Sequence, residues 1–508
     1  MGAEVDRQVV EEGIGRSAAS GVLWLAAQKW VVRISGFATL LVLTRTVSPR
    51  EFGVVAAAMT FVPMLYLLSD LGFSTYLLQT AQIDRQSLST AFWTSVVAGA
   101  LLSATLWVVA PLVAQAFRLP DLVQVLRALV LSVVPTVLAG VPLALLRRSM
   151  RFRAVAVQAL VAAVLAQVLA VVIALRGGGV WALVGQVVVA QWVIAVLAWR
   201  GARWLPSFWL SPRQLREMAS FGLRVSAVDF VSMSRLWAES WIITVALGPS
   251  ALGLFNIAQR LVQVAQELAA ASMVPVSTVV FARVRQSMSR LLVTYVKALG
   301  VAYAVVSPIM VLIVVTAPAL VPLLFGDEWR ASVVPTQALA LAGIITLGAM
   351  LDHGLFYGLG RPGSWLAYSV VVDAVTVGAT AVAVRWGLGG VAVGFVVVAT
   401  LATIARWVLV GRLLGLTTQQ VARPFLTVLA PTAVTTGAGV LVFHSLSTTS
   451  RPWVALTVSA LTVVVVNLVL LRLLAATIVR DAVGIVPLPD RYVSRVQRLL
   501  RLEVVGAA

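Results

Sequence analysis

The chain has 508 residues, 60% of them hydrophobic and only 11% charged, with a mean hydropathy of +0.99. That much apolar surface excludes a water-soluble domain and identifies the fold class as an all-α polytopic membrane protein. The net charge of +19 lies in short loops between apolar runs, as the positive-inside rule places it, and so does not signal nucleic-acid binding.

The runs are long and continuous, unlike the alternating ~10-residue strands of a membrane barrel. Cysteine is absent, which excludes disulfides and thiolate chemistry. Residues 1–20 hold Glu4, Asp6, Glu11 and Glu12 with no apolar core, and are expected to be a cytoplasmic N-terminus, not a signal peptide.

About fourteen transmembrane helices are predicted, near 21–43, 52–77, 88–113, 122–146, 154–175, 180–200, 220–247, 251–281, 290–314, 330–357, 363–384, 388–410, 422–443 and 452–476. Pro318 and Pro322 interrupt 315–329, which reads as an irregular outer connection. With the N-terminus inside, the loops place 23 arginines on the inner side, including Arg147, Arg148, Arg151 and Arg153, against 7 outside. This asymmetry predicts that both termini are cytoplasmic.

Residues 201–219 contain Ser211-Pro212, a helix-start signal, and are expected to form a short cytoplasmic linker helix. Beyond it, the spans 220–247 and 251–281 carry charges that are costly at mid-membrane. At 100° per residue, Arg224, Arg235 and Glu239 fall within an arc of about 60°, as do Asn256, Arg260, Gln263 and Glu267. Either these faces line a polar cavity, or the charges pair with one another to hold the bundle. The tail, 477–508, alternates Tyr492, Val493, Val496, Leu499 and Leu500 with Arg491, Arg495, Arg498 and Arg501. It suits a basic amphipathic helix on anionic lipid, or a partner-binding helix.

Val47-Ser48-Pro49-Arg50-Glu51-Phe52-Gly53-Val54 recurs as Leu247-Gly248-Pro249-Ser250-Ala251-Leu252-Gly253-Leu254. Gly178-Gly179-Val180-Trp181-Ala182 is matched in the same order by Gly389-Gly390-Val391-Ala392-Val393. The offset covers six spans, predicting two parallel six-helix lobes, an N-lobe at 21–200 and a C-lobe at 220–410. Two C-terminal helices, at 422–476, follow them.

No GxxxxGK[ST] motif, Asp-x-Asp pair or metal-spaced His cluster occurs, and the histidines are His353 and His444. The chain therefore reads as a transporter without a cofactor or metal, not as an enzyme.

TRTVSPREFGVV (Thr44–Val55) and LLSDLGFSTYLLQ (Leu67–Gln79) resemble the first loop and second span of bacterial oligosaccharide flippases. LLRRSMRFRA (Leu145–Ala154), ALGLFNIAQRLVQ (Ala251–Gln263) and Gly360-Arg361-Pro362 are similar to later elements of the same polysaccharide-transporter family. That family is a branch of the multidrug/oligosaccharidyl-lipid/polysaccharide exporter superfamily. The resemblance implies movement of an undecaprenyl-diphosphate-linked oligosaccharide from the inner to the outer leaflet of a bacterial cytoplasmic membrane. A lipid II-type flippase, a multidrug exporter of the superfamily, and a membrane glycan polymerase or scaffold are the competing readings.

A diphosphate leaving water needs fixed cations. Lys29, Arg33, Arg224, Arg235 and Arg260 are the candidates that helical geometry offers. Asp229, Glu239, Glu267, Asp352 and Asp373 are candidates for H⁺ or Na⁺ coupling, each of which could instead neutralise a nearby arginine. Asp70 reads as shaping the end of the second span. Membrane lipids and polysaccharide polymerase or export machinery are the further partners the resemblance allows.

Overall fold

The computed structural model describes residues 24, 28–80, 83–270, 287–448, 451–474 and 478, with the backbone alone at 221, 223–229, 232 and 268–270. Among them no strand occurs. The chain divides into two compact units, residues 1–253 and 254–508.

The first unit holds α1 (28–46), α2 (Pro49–Met59), α3 (Val62–Asp70), α4 (Phe73–Gln79), α5 (Arg85–Phe117) and α6 (Leu122–Val130). It continues with α7 (Val133–Arg148), α8 (Phe152–Leu175), α9 (Val180–Ala202) and α10 (Pro212–Leu247). α11 (Pro249–Ala270) crosses the division. The second unit goes on with α12 (Met288–Phe325), α13 (Val333–Thr346), α14 (Gly348–Gly358) and α15 (Pro362–Ala383). α16 (Gly387–Leu414), α17 (Thr418–Ser447) and α18 (Pro452–Leu474) complete it.

Ten segments among the described residues are long and apolar enough to cross a membrane, fewer than the fourteen predicted. One of them, Pro362–Leu414, contains both α15 and α16, while the charged α10 and α11 are not among the ten.

Local sequence explains the helix starts. Ser48 and Glu51 form a reciprocal capping box with Pro49 at the first turn of α2. Asp84 caps α5 by accepting from Ser87 N at 2.7 Å. Ser211 caps α10 as the sequence suggests, but residues 203–211 are not helical. Nothing terminates the helix near 219, so the expected short linker helix is instead the first turns of α10, which run on to Leu247. The non-helical stretch is pinned to α5: Ser207 N donates to Ser89 Oγ (3.1 Å), and Trp93 Nε1 to Ser207 O (3.0 Å). Phe92 beneath it meets Trp93, Trp199 and Trp204 edge-on at 5.3–5.7 Å.

Small residues allow close helix packing. Ala162, Ala166, Ala170 and Ala174 form a buried stripe every fourth residue along α8. The first repeat also packs through glycine. A Cβ on Gly53 would lie 2.5 Å from the Pro249 carbonyl carbon, and one on Gly253 would lie 3.1 Å from that of Pro49.

Prolines inside helices have a recurrent remedy. A proline has no N–H to give the carbonyl four residues earlier. Pro111 thus deprives Trp107 O, which accepts from Arg127 Nε at 3.3 Å; the same guanidinium lies 4.1 Å over the Trp107 ring. Pro142 deprives Leu138 O, which accepts from Trp199 Nε1 at 2.9 Å. Pro318 deprives Val314 O, which accepts from Gln337 Nε2 at 2.8 Å. This last bond corrects the expectation for 315–329. α12 continues through Pro318 and Pro322 to Phe325, because α13 supplies the missing donor and membrane helices accept proline under that condition. A 3₁₀ turn, Asp327–Ser332, then leads into α13.

Candidate functional site: polar groups inside the two units

In the first unit, α3, α4, α5, α7 and α10 line an open cavity of about 430 Å³. Its polar lining comprises Tyr66, Asp70, Ser74, Ser95, Thr136 and Arg147. Leu71 and Gly72 turn the chain with φ of 49° and 70°, which sets α4 beside the end of α3. A Cβ at Gly72 would lie 2.6 Å from the Gly222 Cα of α10, so glycine is needed there both for its backbone angle and for space. Across the turn, Asp70 accepts from Ser74 Oγ at 2.6 Å and Ser74 N at 3.3 Å. Tyr66 donates to Ser132 Oγ at 2.7 Å. The bonds to Ser74 are those of a residue shaping a helix end, and Asp70 also faces the cavity. The lining offers hydroxyl, carboxylate and guanidinium groups to a polar ligand.

The candidates named from sequence are dispersed over α1, α10, α11, α14 and α15. On α1, Lys29 is exposed and Arg33 half-buried. On α10, Arg235 Nη1 donates to Glu239 Oε1 at 2.7 Å, with Glu239 buried. Arg224 and Asp229 belong to α10, but their side chains lie outside the described residues. On α11, Arg260 is exposed, and Gln263 Nε2 donates to Glu267 Oε1 at 2.9 Å, within the predicted polar stripe. Asp373 is half-buried on α15.

Asp352 stands apart. It is fully buried in the second unit, where it accepts from Arg406 Nη1 of α16 and from Tyr295 O–H of α12 at 2.6 Å. Arg406 Nη2 also reaches Tyr303 Oη at 3.5 Å. Space for the guanidinium comes from Gly348, at the junction of α13 and α14, where a Cβ would lie 2.9 Å from the Arg406 Cζ. The four side chains tie α12, α14 and α16 together in the interior. Arg406, Tyr295 and Tyr303 were not singled out from the sequence. An arginine inside the predicted span 388–410 was the available signal. Among the described residues no three His, Asp or Glu side chains are grouped as a metal ion would need.

The polysaccharide biosynthesis protein family matches residues 42–334. The chain is 26% identical over 312 residues to the succinoglycan biosynthesis transport protein ExoT of Rhizobium meliloti (strain 1021), covering 61% of this chain and 63% of that one. It is 21% identical over 329 residues to the lipopolysaccharide biosynthesis protein WzxC of Escherichia coli (strain K12), covering 64% and 67%. Among solved structures, the lipid II flippase MurJ in its inward closed conformation matches with a TM-score of 0.73 at 11% identity, over 88% of this chain and 98% of that one. The fold is therefore the all-helical one of that structure, and the multi-pass chain belongs to the polysaccharide biosynthesis protein family.

Proposed function

We propose that this protein is a secondary-active flippase that moves an undecaprenyl-diphosphate-linked oligosaccharide from the inner to the outer leaflet by alternating access. The observation that carries the reading is the family match over residues 42–334. It is supported by the flippase fold and by charged residues on α10 and α11 that an inert membrane scaffold would not need. The protein would sit in the bacterial cytoplasmic membrane with both termini inside, as its arginine distribution suggests, and would perform no covalent chemistry.

In this reading the diphosphate is held by cations drawn from Lys29, Arg33, Arg224, Arg235 and Arg260. The ion pairs of Glu239 with Arg235 and of Asp352 with Arg406 favour structural roles for both acids. Coupling to H⁺ or Na⁺ is then assigned to Asp229, Glu267 or Asp373.

The test is transbilayer movement of a fluorescent undecaprenyl-diphosphate oligosaccharide in proteoliposomes. Wild type should move the lipid, and folded Arg224→Ala and Arg260→Ala variants should lose that movement. Failure of wild type to move it, with extrusion of a cationic dye instead, would replace this function with drug export. Unimpaired variants would remove the two arginines from the diphosphate site and leave the function standing.

A further inference from the structure

On the surface of the first unit, α8 and α9 form a groove of about 520 Å³. Its floor is apolar, made by Ala154, Val157, Val161 and Leu197, and Arg151 and Arg153 stand at one end. Both guanidinium groups are held in place. Arg151 Nη1 donates to Gly201 O at 2.8 Å, and Arg153 lies 5.2 Å over the Trp24 ring. Both arginines are exposed, and among the described residues no carboxylate pairs with either.

Gln158 supplies an independent sign of a ligand. It is 6% exposed, and its Nε2 donates to Leu197 O at 3.1 Å, which fixes the orientation of the amide. Gln158 lines the same groove, and its Oε1 is buried beneath the groove surface without a hydrogen-bond partner. A Cβ on Gly201 would lie 2.9 Å from Gln158 Nε2, so the amide and the Arg151 guanidinium both sit against Gly201. Two cations and a polar amide with an unsatisfied acceptor therefore share one apolar groove along two membrane helices. An unsatisfied buried acceptor is costly, and a ligand hydroxyl would relieve it.

We propose that this groove is a binding site for an anionic phospholipid with a hydroxylated headgroup of the phosphatidylglycerol type. The phosphate takes charge-assisted hydrogen bonds from Arg151 and Arg153. A headgroup hydroxyl donates to Gln158 Oε1, and an acyl chain covers Val157 and Val161. The arginine-rich tail has the wrong sign to occupy the site. The acidic residues Glu4, Asp6, Glu11 and Glu12 have the right sign and have Val5, Val9 and Val10 among them, so the N-terminus is the competing occupant that the test below separates.

The test uses the purified, delipidated full chain, with bound lipid counted by native mass spectrometry and thermal stability read in parallel. Phosphatidylglycerol should bind and stabilise wild type. Arg151→Ala/Arg153→Ala should weaken binding about tenfold or more, as expected for lost charged hydrogen bonds. Arg151→Lys/Arg153→Lys should keep much of the affinity, which separates charge from folding. Phosphatidylmethanol, anionic but without headgroup hydroxyls, should bind wild type several-fold more weakly than phosphatidylglycerol.

Equal binding by wild type and the alanine variant would overturn the proposal. Equal binding of phosphatidylmethanol and phosphatidylglycerol would overturn the role of Gln158. Inorganic phosphate stabilising as well as the lipid would reduce the site to an anion site. Phosphatidylglycerol binding that appears only after Glu4, Asp6, Glu11 and Glu12 are changed to glutamine would assign the groove to the chain's own N-terminus.

Discussion

Replacing Gln337 by leucine tests whether α13 sustains α12. The Gln337 amide donates at 2.8 Å to Val314 O, the carbonyl that Pro318 leaves without an intrahelical partner, and Val314 is only 7% exposed. Gln337→Leu keeps the side-chain bulk and removes the donor, so a buried acceptor is orphaned at a cost of about 1–3 kcal/mol. For a unit of this size each kcal/mol lowers Tm by about 2–4 °C, so a loss of several degrees is expected. In a Pro318→Ala background, residue 318 regains its N–H and can return it to Val314 O. The same Gln337→Leu change should then cost less than about 0.5 kcal/mol, giving a coupling energy near 1 kcal/mol or more. Thermal unfolding of the four proteins in detergent, followed by tryptophan fluorescence, supplies the cycle. Additive effects would refute the account, because Gln337 would then act through packing alone.

Gly53→Ala should destabilise by about 1–3 kcal/mol through overpacking against Pro249, while Gly378→Ala, with nothing within 4 Å, should be neutral or gain up to about 1 kcal/mol of helix propensity; unfolding midpoints compare them. Arg406→Leu should cost about 3–5 kcal/mol by stranding Asp352 in the interior, and the double change Asp352→Leu/Arg406→Leu should recover part of that loss, both read from denaturation. Asp84→Ala should cost about 1 kcal/mol at neutral pH by removing the α5 cap. Hydrogen bonds from Ser87 hold the Asp84 carboxyl below its usual range, so its contribution is complete above the unfolded value of about 4 and disappears as pH falls below it. The Asp84→Ala penalty should accordingly shrink in acid, as a pH series of unfolding curves would show.

Long apolar runs made the helical membrane architecture legible, because burial in lipid dictates composition over some twenty residues at a time. The cap at Ser211 was also readable, since a cap is a relation among neighbours in sequence. The fate of 315–329 was not. A proline announces which carbonyl loses its donor but not which other helix will answer, and Gln337 lies 23 positions from Val314. The Asp352–Arg406 pair was hidden for the same reason, with 54 positions between its members. Helical arcs correctly put Arg235 and Glu239 on one face, yet an arc cannot distinguish a cavity lining from the i,i+4 ion pair that occurs there. The fold was therefore more accessible than the site, because hydropathy is a local average and a binding site is a set of distant pairs.

Gly348 has a consequence for inheritance. Its backbone angle demands no glycine, so what excludes a side chain there is the guanidinium of Arg406, 58 residues later. Glycine, aspartate and arginine at 348, 352 and 406 should thus descend together. A lineage that lost the arginine would be released to place alanine or serine at 348, and would have to discard the aspartate as well. An alignment of close relatives should show these three columns changing as a block, with few sequences holding two of the three.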